Sequence, residues 1–428
     1  MRARVVVPLL LSALTACTSA PREEATPAAG GRIDDVMVLG TRGGSLIVRS
    51  DSGSVLAEDA GEVTAFDGSR LYATRFDGGT TTLEARDPVS GAVLSSTALP
   101  GTLEARVASI SGDVVALMPP GRATAGELAA PHRRTTIVIA DPTGTRAART
   151  LRLDGNFEPE AFSVDDRRLF LIQYLPATAP SVYRVMFLDL ATERIRPVFG
   201  RFKTPPERMP GVRLNQVFDG TSDQLYTLYT NRPSEGYTGS WDGRGYGDAG
   251  SEGTTDAPAR EISFVHVLNL HDGWAFCAGL PKKLWGRPAT AQAMAASPDG
   301  RHLYIVDSTR GLVADMNTRT LRIRDTVRLD MTGSGGERTS AVTSRDGSRL
   351  FVASALDGGA VYAIDTATME VAARLPMPAD VRGLALSEDG ERLYAALADR
   401  ILIVDPITGD GIRTLSFPEA SILHVATP

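Results

Sequence analysis

Residues 291–307 read AQAMAASPDGRHLYIVD, residues 339–354 read TSAVTSRDGSRLFVAS, and residues 381–397 read VRGLALSEDGERLYAAL. Each copy is a short apolar strand, a turn centred on Asp-Gly (Asp299-Gly300, Asp346-Gly347, Asp389-Gly390), then a basic residue leading an apolar, aromatic strand. Asp-Gly supplies the positive φ of a tight turn, and the alternation on either side buries one strand face, so each copy is a β-hairpin. Downstream, GAVYAIDTATMEVAARL from Gly359 and DRILIVDPITGDGIRTL from Asp399 add a third strand, a second tight turn and a fourth strand. The unit is a four-stranded antiparallel meander.

Fainter copies run back through the chain. EVTAFDGSRLYATRF from Glu62 pairs with TTLEARDPVSGAVLSS from Thr81, and EAFSVDDRRLFLIQY from Glu160 pairs with YRVMFLDLATERIRPVF from Tyr183. Further units start near Glu104, with a third strand at Thr135 to Ala140, and near Arg213, reaching Leu280 after a long insertion. A repeat of about 40 to 50 residues with four strands and no helical periodicity predicts an all-β fold, a single β-propeller. The last segment, SILHVATP from Ser421, fits a first strand alone, whereas VMVLGTRGGSLIVRSDSGSVLAE from Val36 fits strands two to four. Together they complete one blade, which closes the ring and removes its exposed edges. Blades starting near Ser421, Glu62, Glu104, Glu160, Arg213, Ala291, Thr339 and Val381 make eight, with seven the alternative.

The three C-terminal units, roughly residues 291 to 416, resemble the YVTN-type (surface-layer and YncE-like, WD40-like) β-propeller repeats, in which an S-x-D-G-x-x-L-Y turn is joined to an I-D-x-x-T strand end. The resemblance implies a fold and no reaction, because Asp389, Gly390, Leu393 and Tyr394 are scaffold positions. The rest of the chain departs from the pattern: Thr64-Ala65-Phe66-Asp67-Gly68 lacks the Ser-x-Asp spacing, and Val164-Asp165-Asp166 lacks the glycine.

The N-terminus reads as an address. Arg2 and Arg4 precede an apolar stretch from Val5 to Leu14, about half of what a bilayer-spanning helix needs, so residues 1–16 read as a signal peptide. Leu14-Thr15-Ala16-Cys17 resembles a bacterial lipobox, which implies lipidation of Cys17. Two or three acyl chains, at roughly 0.8 kcal/mol per buried methylene, would hold the chain on a membrane. Residues 17–34 are rich in Pro, Ala, Gly and Thr and read as a flexible tether to a propeller spanning 35–428. The expected location is the outer side of the bacterial cytoplasmic membrane, as a monomeric, lipid-anchored lipoprotein of the cell envelope.

Composition narrows the chemistry. The 428 residues are 43% hydrophobic and 22% charged with a net charge of −6, which fits a globular chain and excludes one built to wrap nucleic-acid phosphates. With Cys17 acylated, Cys277 has no disulfide partner; in Trp274-Ala275-Phe276-Cys277 it reads as a small buried hydrophobe and is assigned no chemistry. The five histidines, His132, His266, His271, His302 and His424, show no zinc-ligand spacing. His302 falls at a solvent-facing repeat position, His266 reads as a hydrogen-bonded strand residue, and His424 falls on an innermost strand beside the channel. No Walker loop, G-x-S-x-G elbow or C-x-x-C pair occurs in the mature chain. The Asp-Pro-x-x-Gly turns at Asp87, Asp141 and Asp405 are similar to those of quinone-dependent dehydrogenase propellers, but the tryptophan closing that repeat is missing. No cofactor, metal site or catalytic residue is assigned.

Three insertions carry the functional reading. Pro119 to Arg133, Tyr174 to Ser181 and Thr230 to Arg260 all lie between strands two and three of successive blades, so they crowd one face. The longest is glycine-rich and acidic yet holds Tyr237, Trp241 and Tyr246, aromatic residues suited to binding. Innermost strands start on that face, placing Glu104, Arg106, Glu160, Arg213 and Arg382 around the channel mouth as a mixed-charge rim for a polar ligand such as a sugar or peptide. The expected function is a non-catalytic binding or scaffolding module for an envelope protein or polysaccharide. The alternatives are an assembly factor docking through the same face, and a propeller lactonase or hydrolase. That hydrolase would need a channel metal held by carboxylates, histidines or Asn156, Asn215, Asn231, Asn269 and Asn317.

Overall fold

A computed structural model of the protein describes residues 35–41, 44–59, 61–65, 68–121, 129–202, 208–230, 263–284, 291–329, 339–354 and 359–426. The signal peptide, Cys17, the tether, and Tyr237, Trp241 and Tyr246 lie outside the described residues. Eight antiparallel sheets form an eight-bladed β-propeller, and the one helical turn among the described residues is Lys282–Leu284. From blade 1 to blade 8 the innermost strands are Ser421–Ala426, Gly61–Thr64, Glu104–Ala108, Asn156–Phe162, Val212–Asp219, Gln292–Ala296, Ser340–Thr343 and Gly383–Leu386. Seven of these starts lie within two residues of the expected ones. Blade 4 is the correction, since its first strand begins at Asn156 and Glu160 sits near its middle.

The turns explain why the repeat is legible. In blade 6 the Ser297 hydroxyl donates to Asp299 Oδ1 at 2.6 Å, the Arg301 N–H donates to the same oxygen at 3.0 Å, and the His302 N–H donates to Ser297 Oγ at 3.0 Å. Ser344 with Asp346 and Ser387 with Asp389 repeat the arrangement. Blade 4 builds the same cap from Ser163 and Asp165 without glycine: Asp166 takes the left-handed position at φ 55°, at a cost of about 1–2 kcal/mol. At the other tight turn an Asp or Asn, as in Asp87, Asp189, Asp365 and Asp405, accepts the N–H groups two and three residues on.

There is no single central core. Eight apolar layers lie between sheets, most of them drawn about equally from two neighbouring blades, such as Tyr304, Val306 and Val313 of blade 6 against Leu350, Val352 and Tyr362 of blade 7. The tyrosine of the Leu-Tyr pair adds a polar stitch to this packing. Tyr72 of blade 2 donates to the Gly112 carbonyl of blade 3 at 2.8 Å.

The ring closes as the termini predict. Val36, Met37, Val38, Leu39 and Gly40 pair antiparallel with Ala426, Val425, His424, Ile422 and Ser421. Beside this seam Asp35, fully buried, takes Arg392 of blade 8 in two contacts, at 2.6 Å to Nε and 3.1 Å to Nη2. The Tyr394 hydroxyl also donates to Asp35, and the Ser50 hydroxyl and N–H hold the Asp35 carbonyl at 2.7 and 2.9 Å.

Two measurements test these devices. Arg392→Met leaves Asp35 buried without its cation and is expected to cost about 3–5 kcal/mol in urea unfolding, against about 1 kcal/mol for a neutral hydrogen bond of ordinary strength; a loss below that smaller figure would show that the pair does not hold the seam. Hydrogen bonds from Ser344 and Ser348 hold Asp346 at a pKa of about 2, below its ordinary 3.8. A carboxyl depressed in the folded state stabilises above its ordinary pKa and loses that contribution as pH falls through the folded value. The melting-temperature gap between the native chain and Asp346→Ala is therefore expected to narrow between pH 4 and pH 2; a constant gap would refute this.

Candidate functional site

Three adjacent blades depart from regular pairing in their first hairpins. The register slips between Ala105 and Val107 in blade 3, between Pro159 and Ala161 in blade 4, and between Arg213 and Asn215 in blade 5. The extra residues are Arg106, Glu160 and Leu214. A bulge twists the strand and re-aims the side chains on it. Blades 2, 6, 7 and 8 keep regular register in the corresponding pair, while blade 1 slips at Leu423.

The bulges gather charge. Arg213 Nη1 lies 3.1 Å from Glu160 Oε2, and its Nη2 lies 3.8 Å from Glu158 Oε1. Gln216 Nε2 donates to the second Glu160 oxygen at 2.7 Å, and the Tyr174 hydroxyl donates to Glu158 Oε2 at 3.0 Å. Arg106 Nη2 lies 3.3 Å from Glu104 Oε2 and donates to the Pro119 carbonyl, where the blade 3 insertion begins, at 2.9 Å. These charges are enclosed: Arg106 is 4% exposed, Glu158 6% and Glu160 3%.

Burial sets the electrostatics. Desolvation lowers the Arg106 pKa, and the carboxylates of Glu104 and Glu158 only partly offset it. Desolvation opposes the Arg213 charge too, but Glu160 and Glu158 outweigh it and hold that pKa above the ordinary value. Burial and the neighbouring carboxylates push the phenols of Tyr174 and Tyr229 up, so both stay protonated. Among the described residues the enclosed Nε of Arg106 has no hydrogen-bond acceptor. An unmatched buried donor costs about 1–3 kcal/mol, a penalty that a ligand acceptor would relieve.

The insertions above the cluster are tied together. Asn156, fully buried, donates to the Ala130 carbonyl of the blade 3 insertion at 2.9 Å and to the Ala177 carbonyl of the blade 4 insertion at 3.2 Å. The His132 N–H also donates to the Ala177 carbonyl, at 3.1 Å. In blade 5 the chain leaves at Thr230 and returns at Ser263, which are paired, so that insertion emerges from the same end of its blade.

Other candidates lie elsewhere. Arg382 precedes the first strand of blade 8, where its N–H donates to the Ala396 carbonyl, and it joins none of the cluster contacts above. His424 is on an innermost strand, as expected, but its ring lies against the Gly68 turn of blade 2, and burial lowers its pKa. His302 is half-buried rather than solvent-facing: its Nδ1 lies 2.9 Å from Asp315 Oδ1, in a cleft of about 740 Å³ between blades 6 and 7. His266 is buried on its strand, and its ring stands edge-on to that of Tyr229. No three His, Cys, Asp or Glu side chains gather as a metal-holding group among the described residues.

Sequence reading missed Glu158, Tyr174, Gln216 and Tyr229 as cluster members. The signal for Glu158 was present in Glu158-Pro159-Glu160, two acidic residues flanking a proline inside an otherwise apolar strand.

No family model matches this chain, and no curated protein matches it in sequence. Solved structures do. Dihydro-heme d1 dehydrogenase NirN, in complex with DHE, superposes with a TM-score of 0.55 at 14% identity over 92% of this chain and 75% of its own. Apo AztD from Citrobacter koseri gives 0.51 at 10% identity, covering 92% of this chain and 97% of its own. At such identities the likeness carries the propeller fold alone.

The cluster makes a measurable claim about stability. Tyr174→Phe removes a hydrogen bond to a buried carboxylate and is expected to cost about 1.5–3 kcal/mol in urea unfolding. A loss below about 0.5 kcal/mol, the level of an ordinary surface change, would show that Glu158 does not depend on it.

Proposed function

We propose that this chain is a non-catalytic binding propeller of the YVTN-like, lipid-anchored kind, displayed at the cell envelope through Cys17. Its ligand or partner would be polar and would meet the mouth over blades 3 to 5. The observation that carries this reading is the coincidence of three successive bulges with three successive insertions, in the same blades that hold a buried Arg-Glu network. Closing the ring requires neither feature, and blades 6 to 8 build regular first hairpins without them. The Arg106 N–H, unmatched among the described residues, suits a polar ligand that offers an acceptor, such as a peptide or an amino sugar.

The test compares the native chain with Arg106→Met, with a form lacking residues 234–258, and with Cys17→Ala. The native chain is expected to fractionate with membranes and to retain a polar component from envelope extract, identified by mass spectrometry. Arg106→Met and the deletion are expected to lose that component, and Cys17→Ala to leave the membrane fraction. Equal recovery from the native chain, the arginine variant and the deletion removes the binding face, and unchanged fractionation of the Cys17 variant removes the anchor.

A further inference from the structure

The connection from blade 4 to blade 5 has a course found nowhere else among the described residues. After Ile195–Pro197 closes blade 4, Phe199–Gly200 crosses to pair in parallel with Trp274 and Ala275 on the outer strand of blade 5. The chain then returns, and Met209–Pro210 pairs with Val182 and Tyr183 of blade 4. This strap covers a cavity of about 20 Å³ between the blades, lined by Val185, Val198, Met209, His266, Phe276 and Cys277 among others.

His266 and Cys277 sit opposite each other on adjacent strands, so their side chains share a face with Cβ atoms about 4.5–5.5 Å apart. The His266 imidazole is buried, and its ring stands edge-on to that of Tyr229 at 6.2 Å. Met209 is buried, and it lines the same cavity from the strap. A space of this size suits a single water or ion, since one water needs about 10–15 Å³ of such volume. The lining thus includes residues that carry a soft thiol, a soft thioether and a borderline imidazole.

We propose that the strap cavity between blades 4 and 5 is a site for one Cu(I) ion, held by the imidazole of His266, the sulfur of Cys277 and the thioether of Met209. Thiolate and thioether ligands select Cu(I) over harder divalent ions. On binding, the thiol proton passes to solvent, and the thiolate and the cuprous ion cancel in charge, so the apolar shell encloses no net charge. The site is independent of the binding mouth proposed above and stands or falls without it.

Anaerobic titration of the full-length chain with Cu(I) against a colorimetric Cu(I) chelator tests this, with thiolate-to-copper absorption in the near ultraviolet as a second readout. One ion per chain is expected. Cys277→Ser should weaken binding at least tenfold and abolish the absorption, because even outer-shell partners of a metal ligand account for about 10–100-fold in affinity. Cys17→Ser should leave both unchanged. Native affinity in Cys277→Ser, or loss of copper in Cys17→Ser, overturns the site. Should the serine variant fail to fold, Met209→Leu conserves volume and decides: weaker binding by the same measure supports the site, and native affinity overturns it.

Discussion

The ring depends on one antiparallel pairing between segments at opposite ends of the described chain, with Gly40 opposite Ser421, 381 residues away. Without it the sheet of blade 1 would present a bare inner edge, and blade 8 would lose the neighbour that its Arg392 and Tyr394 are built to meet. The burial of Asp35 is tolerable only because a guanidinium, a phenol and the adjoining Ser50 bonds all converge there. A buried carboxylate so completely matched makes the seam specific: a slip of one residue would turn every side chain of the strand to the other face and strand the charge.

What could be read in the sequence, and what could not, follows from how each feature is encoded. The Asp-Gly turns, the alternation beside them and the split blade are local patterns, and they yield the blade number and seven of the eight starts. Blade 4 was misplaced because Asn156 and Glu158, both buried, interrupt the apolar pattern that marks a first strand. The bulges at Arg106 and Glu160 leave no compositional trace, so the burial of both residues could not be read from the sequence. The insertions were legible by length, and their shared face followed from strand direction alone. The tie that Asn156 makes between two of them was not legible, because it joins carbonyls 26 and 21 residues away.

Buried charge is an expensive way to stabilise a β-sheet, since replacing such a network with packed apolar residues is often neutral or favourable. The layer between blades 4 and 5 carries Glu160, Thr227, His266 and Cys277 in a line from the channel outward. Among the described residues only that gap carries the strap. Polar residues kept at a cost, beside insertions the ring does not need, set this sector apart from the regular first hairpins of blades 6 to 8.

The composite blade also bears on how the chain is made. A ribosome delivers Val36 to Asp59 early, and the strand that must cover their inner edge arrives some 360 residues later. At about 5–20 residues per second that is roughly 20 to 70 s of synthesis. Throughout that interval three finished strands wait with their hydrogen-bonding groups unclaimed, a template to which a nascent neighbour on the same message could add. Folding of this ring is therefore held open until Ser421–Ala426 is made, and anything that shields the first hairpin in the meantime shares in producing the native protein.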